Sequence, residues 1–561
     1  MDNRLIECVP NFSEGRDENI IKNITSIIES VEGVKLLDVD PGKATNRTVV
    51  TFVGNPDNVI EAAFLAIKKA SELIDMSKHS GEHPRMGATD VCPLIPISNI
   101  SVEETVEYSK KLAERVSKEL NIPTYLYESS ATKSNRRNLA TIRAGEYEGL
   151  SKKLQDPEWK PDYGDAVFNS KSGATVIGVR DFLIAYNVNL NTKSTRKANA
   201  VAFDVREQGR IKRIGDPVTG EIVNDENGNP VRIAGSLKSV KAIGWFIKEF
   251  DIAQISMNLT DYKVTPLHIA FEEVVKKADS RGLRVTGSEL VGMVPLKVML
   301  DAGIYFLKKQ GRSHGVSEKE LIHIAVKSLG LDELYPFEPK KKIIEYALDD
   351  KKDLLVNMSL TDFANETASE SPAPGGGSIS AYVGSLGISL GAMVANLSAG
   401  KRGWDDKIEQ MSEIAYQSQI IKDKLLFLVD EDTRAFNKVM DAFALAKNTE
   451  QEKQIRKDAI ENANKYAAEI PLKVMETAFE SFSFIKEMVE NGNPNSITDA
   501  GVGALCVKSC IHGAYLNVKV NVSGISDKNF TENLMSKANK ILENSKTLEK
   551  EILEIVENKI S

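Results

Sequence analysis

Two histidines lie close together in a chain that contains few of them. The protein has six histidines in 561 residues, and His79 and His83 stand in "KHSGEHPRMGATDVCP" (78–93). Gly81 and Pro84 argue against a helix here, so the pair lacks the helical arrangement that commonly holds zinc. A histidine whose pKa is about 6.5 can take and give a proton near neutrality. A metal site, a proton-transfer site and a plain loop all remain open on the residues alone.

A second candidate is a carboxyl group on an apolar helix face. In "LVDEDTRAF" (428–436), Asp432 falls three residues after Val429, on the apolar stripe of a predicted helix. Such a carboxyl group needs a partner, or its pKa rises until it can act as a general acid or base. An aspartate with a purely structural role, hydrogen-bonded to a neighbouring helix, is an equally good interpretation. Asp430 and Glu431 fall off the stripe, so we expect them to be solvated.

Three glycines precede another predicted helix in "SPAPGGGS" (371–378). Free backbone N–H groups at a helix start suit an anionic or polar ligand, and a bare loop is the alternative. No Gly-Lys-Ser/Thr follows, so the stretch is not a phosphate-binding P-loop. Further on, "CVKSC" (506–510) has two cysteines on an apolar helix, which we interpret as buried free thiols. No metal is inferred.

The composition indicates a soluble, globular chain of several domains. It has 42% hydrophobic and 27% charged residues, and its length is too great for one core. The net charge of −8 argues against nucleic acid as the main partner. Four cysteines are too few for a disulfide framework, and the first residues lack the apolar core of a signal peptide. We therefore expect a cytoplasmic protein.

One uncharged run tests the expectation of solubility. "ISAYVGSLGISLGAMVANL" (379–397) is just long enough to span a membrane. Small residues recur in it at helical spacing, which permits the close approach of another helix. We therefore predict a buried bundle helix and no contact with a membrane.

The first part of the chain alternates strand-like and helix-like stretches, which indicates α/β structure. The strand-like stretches are 34–40, 48–54, 91–97 and 123–129. The helix-like stretches between them are 58–74 and 102–120. A second α/β stretch contains a hydrophilic turn cluster at 215–232, which predicts an exposed loop or hairpin insertion. We predict two α/β subdomains, 1–184 and 185–333.

The pattern changes after residue 333. Two prolines and a lysine run in "LYPFEPKKK" (334–342) predict a linker, which we extend over 334–354. Nearly all of 355–561 is helix-periodic, with amphipathic helices predicted at 405–446 and 529–560. The apolar positions of the first helix include Phe436 and Phe443. We predict an all-α helical bundle domain at 355–561.

Long stretches, in this order, resemble the bifunctional formimidoyltransferase-cyclodeaminase family of histidine breakdown along nearly the whole chain. The transferase resemblance is carried by "IECVPNFSEGRD", "LLDVDPGKATNRTVVTFVG", "GEHPRMGATDVCPLIPI", "GATVIGVRDFLIAYNVNLNT", "VREQGR" and "GSELVGMVP". The cyclodeaminase resemblance is carried by "SPAPGGGS", "MVANLSAGK", "LVDEDTRAFNKVM" and "GVGALCVKSCIHGAYLNVKVN".

The resemblance implies two consecutive reactions on a folate. The transferase moves a formimino group from N-formimino-L-glutamate to N5 of tetrahydrofolate. The cyclodeaminase then closes the ring onto N10, giving 5,10-methenyltetrahydrofolate and ammonia. It also implies two α/β subdomains for the transferase and a helical cyclodeaminase, in agreement with the pattern of elements.

The resemblance also implies which residues act. Its catalytic histidine falls on His83, which favours proton transfer over metal, and its catalytic aspartate falls on Asp432; His79 has no matched role. Asp40 and Asn46 are our own predictions for polar contacts near the first site. The family's folate-binding segment falls on Gly164, Asp165, Ala166, Val167, Phe168, Asn169, Ser170, Lys171, Ser172 and Gly173.

The implied partners are small molecules and further copies of the chain. The resemblance implies tetrahydrofolate as co-substrate, in a polyglutamylated form, and a ring-shaped homo-oligomer. Oligomer size, tail length, channelling of the intermediate and the roles of His79 and of the 215–232 insertion are not specified by the sequence.

Two other functions remain as alternatives. The helical half is also similar to stand-alone methenyltetrahydrofolate cyclohydrolases, and the whole chain would be a folate-binding scaffold if both sites had decayed. Fusion to an intact transferase half argues against the first alternative. The presence of both His83 and Asp432 argues against the second.

Overall fold

The computed structural model describes residues 4–42, 46–81, 84–215, 220–348 and 354–560. The chain divides into two compact units. The first comprises Met1–Val298 and Gly330–Leu348, and the second comprises Met299–Leu329 and Asp349–Ser561.

A mixed seven-stranded sheet forms the N-terminal part of the first unit. Its strands are β1 (Leu5–Cys8), β2 (Asn11–Phe12), β3 (Val34–Gly42), β4 (Arg47–Gly54), β5 (Thr89–Ser98), β6 (Thr124–Glu128) and β7 (Thr175–Val179). The strand order is β1-β4-β2-β5-β7-β6, with β3 paired to β4. β5, β7 and β6 run parallel, and the other pairs are antiparallel. The predicted strands are all present.

Helices pack against this sheet. They are α1 (Glu18–Glu29), α2 (Pro56–Leu73), α3 (Val102–Leu120), α4 (Leu139–Arg143) and α5 (Glu146–Lys153). The start of α3 is fixed by Ser101 and Glu104, which form a reciprocal capping box. Buried side chains from α1, α2 and α3, such as Ile24, Val59 and Leu112, form one core with the strands.

The second α/β subdomain has a four-stranded antiparallel sheet. Its elements are β8 (Ile184–Leu190), α6 (Thr195–Val205), β9 (Arg210–Ile211), β10 (Arg213–Ile214), β11 (Glu221–Ile222), β12 (Arg232–Ile233), β13 (Val240–Ile247), β14 (Ile252–Leu259), α7 (Leu267–Asp279) and β15 (Val285–Val291). The sheet order is β13-β14-β8-β15. β10 pairs with β11 and β9 with β12, so short ladders join the predicted insertion to the residues just before it.

The remaining helices lie mostly in the second unit, which contains the longest of them. They are α8 (Leu296–Lys309), α9 (Glu318–Leu329), α10 (Pro339–Lys342), α11 (Ile344–Leu348), α12 (Leu360–Thr367), α13 (Gly376–Ala399), α14 (Ile408–Ala444), α15 (Glu450–Asn491), α16 (Ile497–Asn521) and α17 (Lys528–Ile560). α13 packs against α14 and α16. The predicted fold class, two α/β subdomains followed by an all-α bundle, is confirmed.

Small residues on α13 allow its neighbours to approach closely. A Cβ at Gly384 would lie 2.6 Å from Cys510 Sγ, and one at Gly387 would lie 2.8 Å from the Gly503 carbonyl oxygen. α13 is long and apolar enough to cross a membrane by length and composition, but 61% of its most apolar window is buried inside the protein. The prediction of a buried bundle helix is therefore supported.

One detail differs from the sequence predictions, and one grouping of residues was not anticipated by them. Phe436 and Phe443, placed on the apolar stripe of α14, are 42% and 48% exposed. Periodicity identifies the apolar side of a helix but not how far a neighbouring helix covers it. In addition, residues 299–329 group with the helical unit and 330–348 with the α/β unit. The predicted domain boundaries at 184, 333 and 354 stay predictions.

Candidate functional site

Asp432 lies opposite the start of α13. Its carboxylate accepts hydrogen bonds from the Ser378 backbone N–H at 2.9 Å and from Ser378 Oγ at 3.1 Å. A Cβ at Gly377 would lie 2.2 Å from Asp432 Oδ1, so only glycine leaves room for the carboxylate. The glycine-rich loop and the carboxyl group predicted separately from the sequence therefore form one site.

The surroundings of Asp432 favour proton exchange. Burial raises the pKa of its carboxyl group, and the hydrogen bonds from the Ser378 side chain and backbone oppose this shift. A carboxyl group with a raised pKa, partly stabilised as the anion, can both take and release a proton. This arrangement is the physical basis for a general acid or base at this position.

A cavity of about 370 Å³ adjoins Asp432. Residues 372–377, which lead into α13, contribute to its wall with Phe436, Gly524 and three asparagines. Each asparagine is held through its amide nitrogen: Asn464 donates to the Gly524 carbonyl at 3.1 Å, Asn517 to Gly513 at 2.9 Å and Asn521 to Ala467 at 2.7 Å. Fixed amides around a carboxyl group suit a polar, heterocyclic ligand.

Sequence reasoning missed these three asparagines. Asn517 and Asn521 are four residues apart in "LNVKVN", a spacing that places both on one face of α16. That spacing could have identified Asn517 and Asn521 as a pair of polar groups facing the same side. Asn464 comes from α15, and no local pattern connects it with the other two.

The expectation that Asp430 and Glu431 are solvated is wrong. Asp430 is 6% exposed and accepts a hydrogen bond from the Leu355 backbone N–H at 2.7 Å. Glu431 is 3% exposed, accepts from the Tyr466 hydroxyl and pairs with Arg434 at 2.8 Å. A helix enclosed on several sides buries residues beyond its apolar stripe, provided that these polar groups find partners.

The histidine segment in the first unit is only partly described. His83 and Glu82 lie outside the described residues, so the role predicted for His83 stays a prediction. His79 Nε2 lies 2.9 Å from the Asn46 carbonyl oxygen, and Arg85 Nε donates to His79 Nδ1 at 3.2 Å. A neutral ring with its proton on Nε2 satisfies both contacts. His79 therefore holds neighbouring loops together.

Asn46 connects this segment with the N-terminal loop. Its side chain accepts from the Gly15 N–H at 3.0 Å and donates to the Ser80 carbonyl at 3.0 Å. The structure thus brings Asn46, predicted as a polar contact, to the loop that contains the histidines. Asp40 is exposed on β3, and its side chain makes no ion pair with any described residue.

A buried carboxylate next to this segment holds two arginines. Asp90 is 1% exposed and pairs with Arg47 at 3.2 Å and with Arg143. It also accepts from the Met86 backbone N–H at 3.0 Å, which ties the cluster to the chain that follows His83. The cluster thus places two planar guanidinium groups on one carboxylate, and such groups bind carboxylate ligands through paired hydrogen bonds.

Arg47 keeps its positive charge although its side chain is partly buried. Burial lowers the pKa of Arg47 to about 10, Asp90 opposes this shift and Arg143 adds to it. Arg47 is therefore protonated at neutral pH. Asp90 and the two arginines carry no distinctive spacing in the sequence, because β4, β5 and α4 bring them together from distant positions.

The predicted folate-binding segment has two different halves. Residues 164–167 are exposed, whereas Ser172 and Gly173 are buried. Gly173, with φ +67°, packs so closely on the chain that a Cβ would lie 2.1 Å from the Met86 carbonyl oxygen. The second half of the segment is thus anchored beside residues 84–88.

A cavity of about 730 Å³ adjoins the same segment. Phe168 and Asn169 line it together with Ser117, Lys118 and Asn121 from the end of α3. Phe168 is steadied by Tyr147, whose ring centre lies 5.5 Å away. An aromatic ring, an amide and a lysine suit a flat, anionic ligand.

Comparison with family models matches nearly the whole chain. Residues 5–180 match the formiminotransferase domain, N-terminal subdomain; residues 185–349 match the formiminotransferase domain. Residues 359–540 match formiminotransferase-cyclodeaminase.

Curated relatives agree with these matches. The formimidoyltransferase-cyclodeaminase of Mus musculus is 42% identical, over 97% of this chain and 97% of the relative. The glutamate formimidoyltransferase of Streptococcus pyogenes is 41% identical over 54% of this chain and 94% of the relative. The methenyltetrahydrofolate cyclohydrolase of Methylorubrum extorquens is 33% identical over 36% of this chain and 99% of the relative.

Proposed function

The chain belongs to the formimidoyltransferase-cyclodeaminase family, and we propose that it catalyses two consecutive folate reactions. It transfers the formimino group from N-formimino-L-glutamate to tetrahydrofolate. It then converts 5-formiminotetrahydrofolate into 5,10-methenyltetrahydrofolate and ammonia. The structural observation that carries the proposal is the carboxyl group of Asp432, held at a cavity with its pKa raised.

Ring closure needs one group that moves a proton. N10 attacks the formimino carbon, the N10 proton leaves, and the C–N bond to the amino group breaks as ammonia is released. Ionised Asp432 takes the N10 proton and returns it to the departing nitrogen. Ser378 keeps the carboxylate aimed at the cavity through its two hydrogen bonds.

The transfer step has the same proton balance. N5 of tetrahydrofolate attacks the formimino carbon and loses a proton, and the glutamate nitrogen gains one as it leaves. We propose His83 for this proton transfer. Arg143, which shares Asp90 with Arg47, receives a carboxylate of formiminoglutamate, because its planar guanidinium group matches a carboxylate through paired hydrogen bonds.

Several finer properties belong to the same proposal. The co-substrate is a polyglutamylated tetrahydrofolate bound along residues 164–173, and neither reaction requires a metal because proton transfers balance both. The enzyme is cytoplasmic, which is supported by four free cysteines.

The ring-shaped homo-oligomer is also a proposal. Its support is a set of exposed apolar side chains on α13 and α16, which a second copy would cover. These residues are Leu386, Met393, Leu397, Val502 and Leu505. Sedimentation of the purified protein tests it, and a monomer at micromolar concentration would contradict it.

One assay tests both activities. The purified protein receives formiminoglutamate and tetrahydrofolate, and methenyltetrahydrofolate absorbance and ammonia are followed together. We expect both to rise in equal amounts. If the protein were a cyclohydrolase, as the Methylorubrum relative suggests for the helical half, supplied methenyltetrahydrofolate would disappear without ammonia release. A scaffold would form neither product.

A further inference from the structure

A pocket rich in arginine lies in the second α/β subdomain, beside α6 and the β9–β12 and β10–β11 ladders. Its volume is about 470 Å³. Five of its lining residues, which we call the arginine pocket, are Arg196, Arg206, Arg210, Arg213 and Arg232. The whole chain carries a net charge of −8, so this is a local concentration of positive charge.

Regular secondary structure holds the lining residues of the arginine pocket in place. Arg196, Asn199 and Phe203 follow one another at helical spacing on one face of α6. The β9–β12 ladder is held against the end of α6 by close backbone approach, since a Cβ at Gly235 would lie 1.9 Å from the Arg206 carbonyl oxygen. The arginines therefore lie on or beside a helix and short strands whose backbones are packed closely together.

Only one of the five arginines has a carboxylate partner among the described residues. Arg210 pairs with Asp204, which is shared with Arg281 outside the pocket. Arg206 donates to the Gly209 carbonyl oxygen at 2.9 Å, and Arg213 to that of Gly220 at 2.7 Å.

The other two arginines have still fewer contacts. In the described part of the chain, the side chains of Arg196 and Arg232 make no hydrogen bond or ion pair. Burial lowers the pKa of Arg206, and the nearby charge of Arg232 lowers it further. The guanidinium groups thus repel one another, and a multivalent anion would relieve this repulsion.

We propose that the arginine pocket binds a small anion that carries at least three carboxylate or phosphate groups. Guanidinium forks match both groups through paired hydrogen bonds. Phe203, Ala200 and Ile211 provide an apolar surface, which favours carboxylates joined by a hydrocarbon frame. The site is separate from Asp432 and from the Arg47–Asp90–Arg143 cluster, and the inference is independent of both reactions.

Calorimetric titration of the full-length protein tests this inference with two probes. Tricarballylate carries three carboxylates on a hydrocarbon frame, and tripolyphosphate carries phosphates alone. The test variant is Arg196→Ala/Arg232→Ala, since neither side chain supports the fold through a described contact. The matched control is Arg137→Ala/Arg402→Ala, which removes two exposed arginines elsewhere and changes the net charge equally.

We expect saturable binding of tricarballylate by the parent and the control, and at least about tenfold weaker binding by the test variant. Both chemical reactions should be unchanged in the test variant. Saturable, arginine-dependent binding of tripolyphosphate alone would support the site and assign it to phosphate. The inference is overturned if neither probe saturates, or if the test variant binds as well as the control.

Discussion

Three consecutive carboxyl groups on α14 differ in what surrounds them, and this separates one catalytic candidate from two structural groups. Asp430 is held by a backbone N–H and Glu431 by Tyr466 and Arg434. Among the residues that the structure describes, Asp432 is bonded only by Ser378, and it adjoins a cavity. Helical spacing placed Asp432 on the apolar stripe of α14, but it could not predict the partners that bury Asp430 and Glu431 more deeply.

The replacement Asp432→Asn keeps the shape of the side chain and removes proton exchange. We expect ammonia release to fall by roughly 10²–10⁴-fold, with accumulation of 5-formiminotetrahydrofolate and normal formimino transfer. Because burial raises the pKa of Asp432, its ionised form opposes folding at neutral pH, so the variant should not melt earlier. The control is Asp423→Asn on the exposed side of α14. Ammonia release at the parental rate would remove Asp432 from the mechanism.

The hydroxyl of Ser378 should set the pH dependence of ring closure. Its hydrogen bond favours the ionised form of Asp432 and lowers the pKa that burial raises. In Ser378→Ala the pKa therefore rises further, and the acid limb of the cyclodeaminase rate should move to higher pH. Ser389 is the control: its hydroxyl donates to the Ser385 carbonyl oxygen and to no other described residue, so Ser389→Ala should leave the profile unchanged. An unshifted limb in Ser378→Ala would contradict Asp432 as the titrating group.

A conservative change at Arg143 separates substrate binding from chemistry. Lysine keeps the positive charge but loses the planar fork that grips a carboxylate. We expect Arg143→Lys to raise the KM for formiminoglutamate about tenfold, with little change in the KM for tetrahydrofolate. Arg137→Lys, an exposed site just before α4, is the control. An equal rise in both KM values would indicate a general loss of structure instead.

At the scale of elements, the start of α13 determines the second site. The sequence predicted the helix, because small residues at helical spacing permit close packing, and it predicted three glycines before it. In the structure Gly375 is the N-cap, and Gly376 and Gly377 already belong to α13. The structure adds that Gly377 touches the carboxylate of Asp432. A contact between residues 55 positions apart cannot be seen in local periodicity.

Gly377→Ala tests this packing. The added methyl group would stand 2.2 Å from Asp432 Oδ1, so the carboxylate must move away from Ser378. A displacement of about 1 Å typically lowers a rate by about 10²-fold, and we expect such a loss of ammonia release with transfer intact. The control is Gly400→Ala, after the end of α13, where the nearest described contact of an added Cβ would be the Asn396 carbonyl oxygen at 3.7 Å. Full activity of Gly377→Ala would show that the carboxylate position is not critical.

Other elements show where pattern reasoning ends. The apolar stripe of α14 predicted burial for Phe436 and Phe443, yet both are exposed. Coverage depends on the length and crossing of neighbouring helices, which amphipathicity does not encode. The 215–232 insertion was predicted as a loop or hairpin from its turn residues. The pairing of its end with β9 and the place of Arg232 in the arginine pocket could be seen only in the structure.

At the scale of the whole molecule, each candidate site is built from a single compact unit. Asp432, its cavity and its asparagines belong to the helical unit, whereas Asn46, Arg47, Asp90 and the 164–173 segment belong to the α/β unit. Fold class and family were predictable from the sequence because they depend on element type and long motifs. The assignment of 299–329 to the helical unit was not, since helical periodicity does not identify a packing partner.

Two separately built sites predict two separable activities. His83→Ala should lower formimino transfer by roughly 10²–10⁴-fold, while ring closure continues when 5-formiminotetrahydrofolate is supplied. Asp432→Asn should show the opposite defect. Because each variant retains one complete site, mixing the two proteins should restore formation of methenyltetrahydrofolate and ammonia, with the intermediate passing through solution. The absorbance of the mixture, compared with that of each variant alone, measures this. If the mixture stays inactive although each variant keeps its own reaction, the intermediate does not pass from one protein to the other, and the two sites must then act within one assembly.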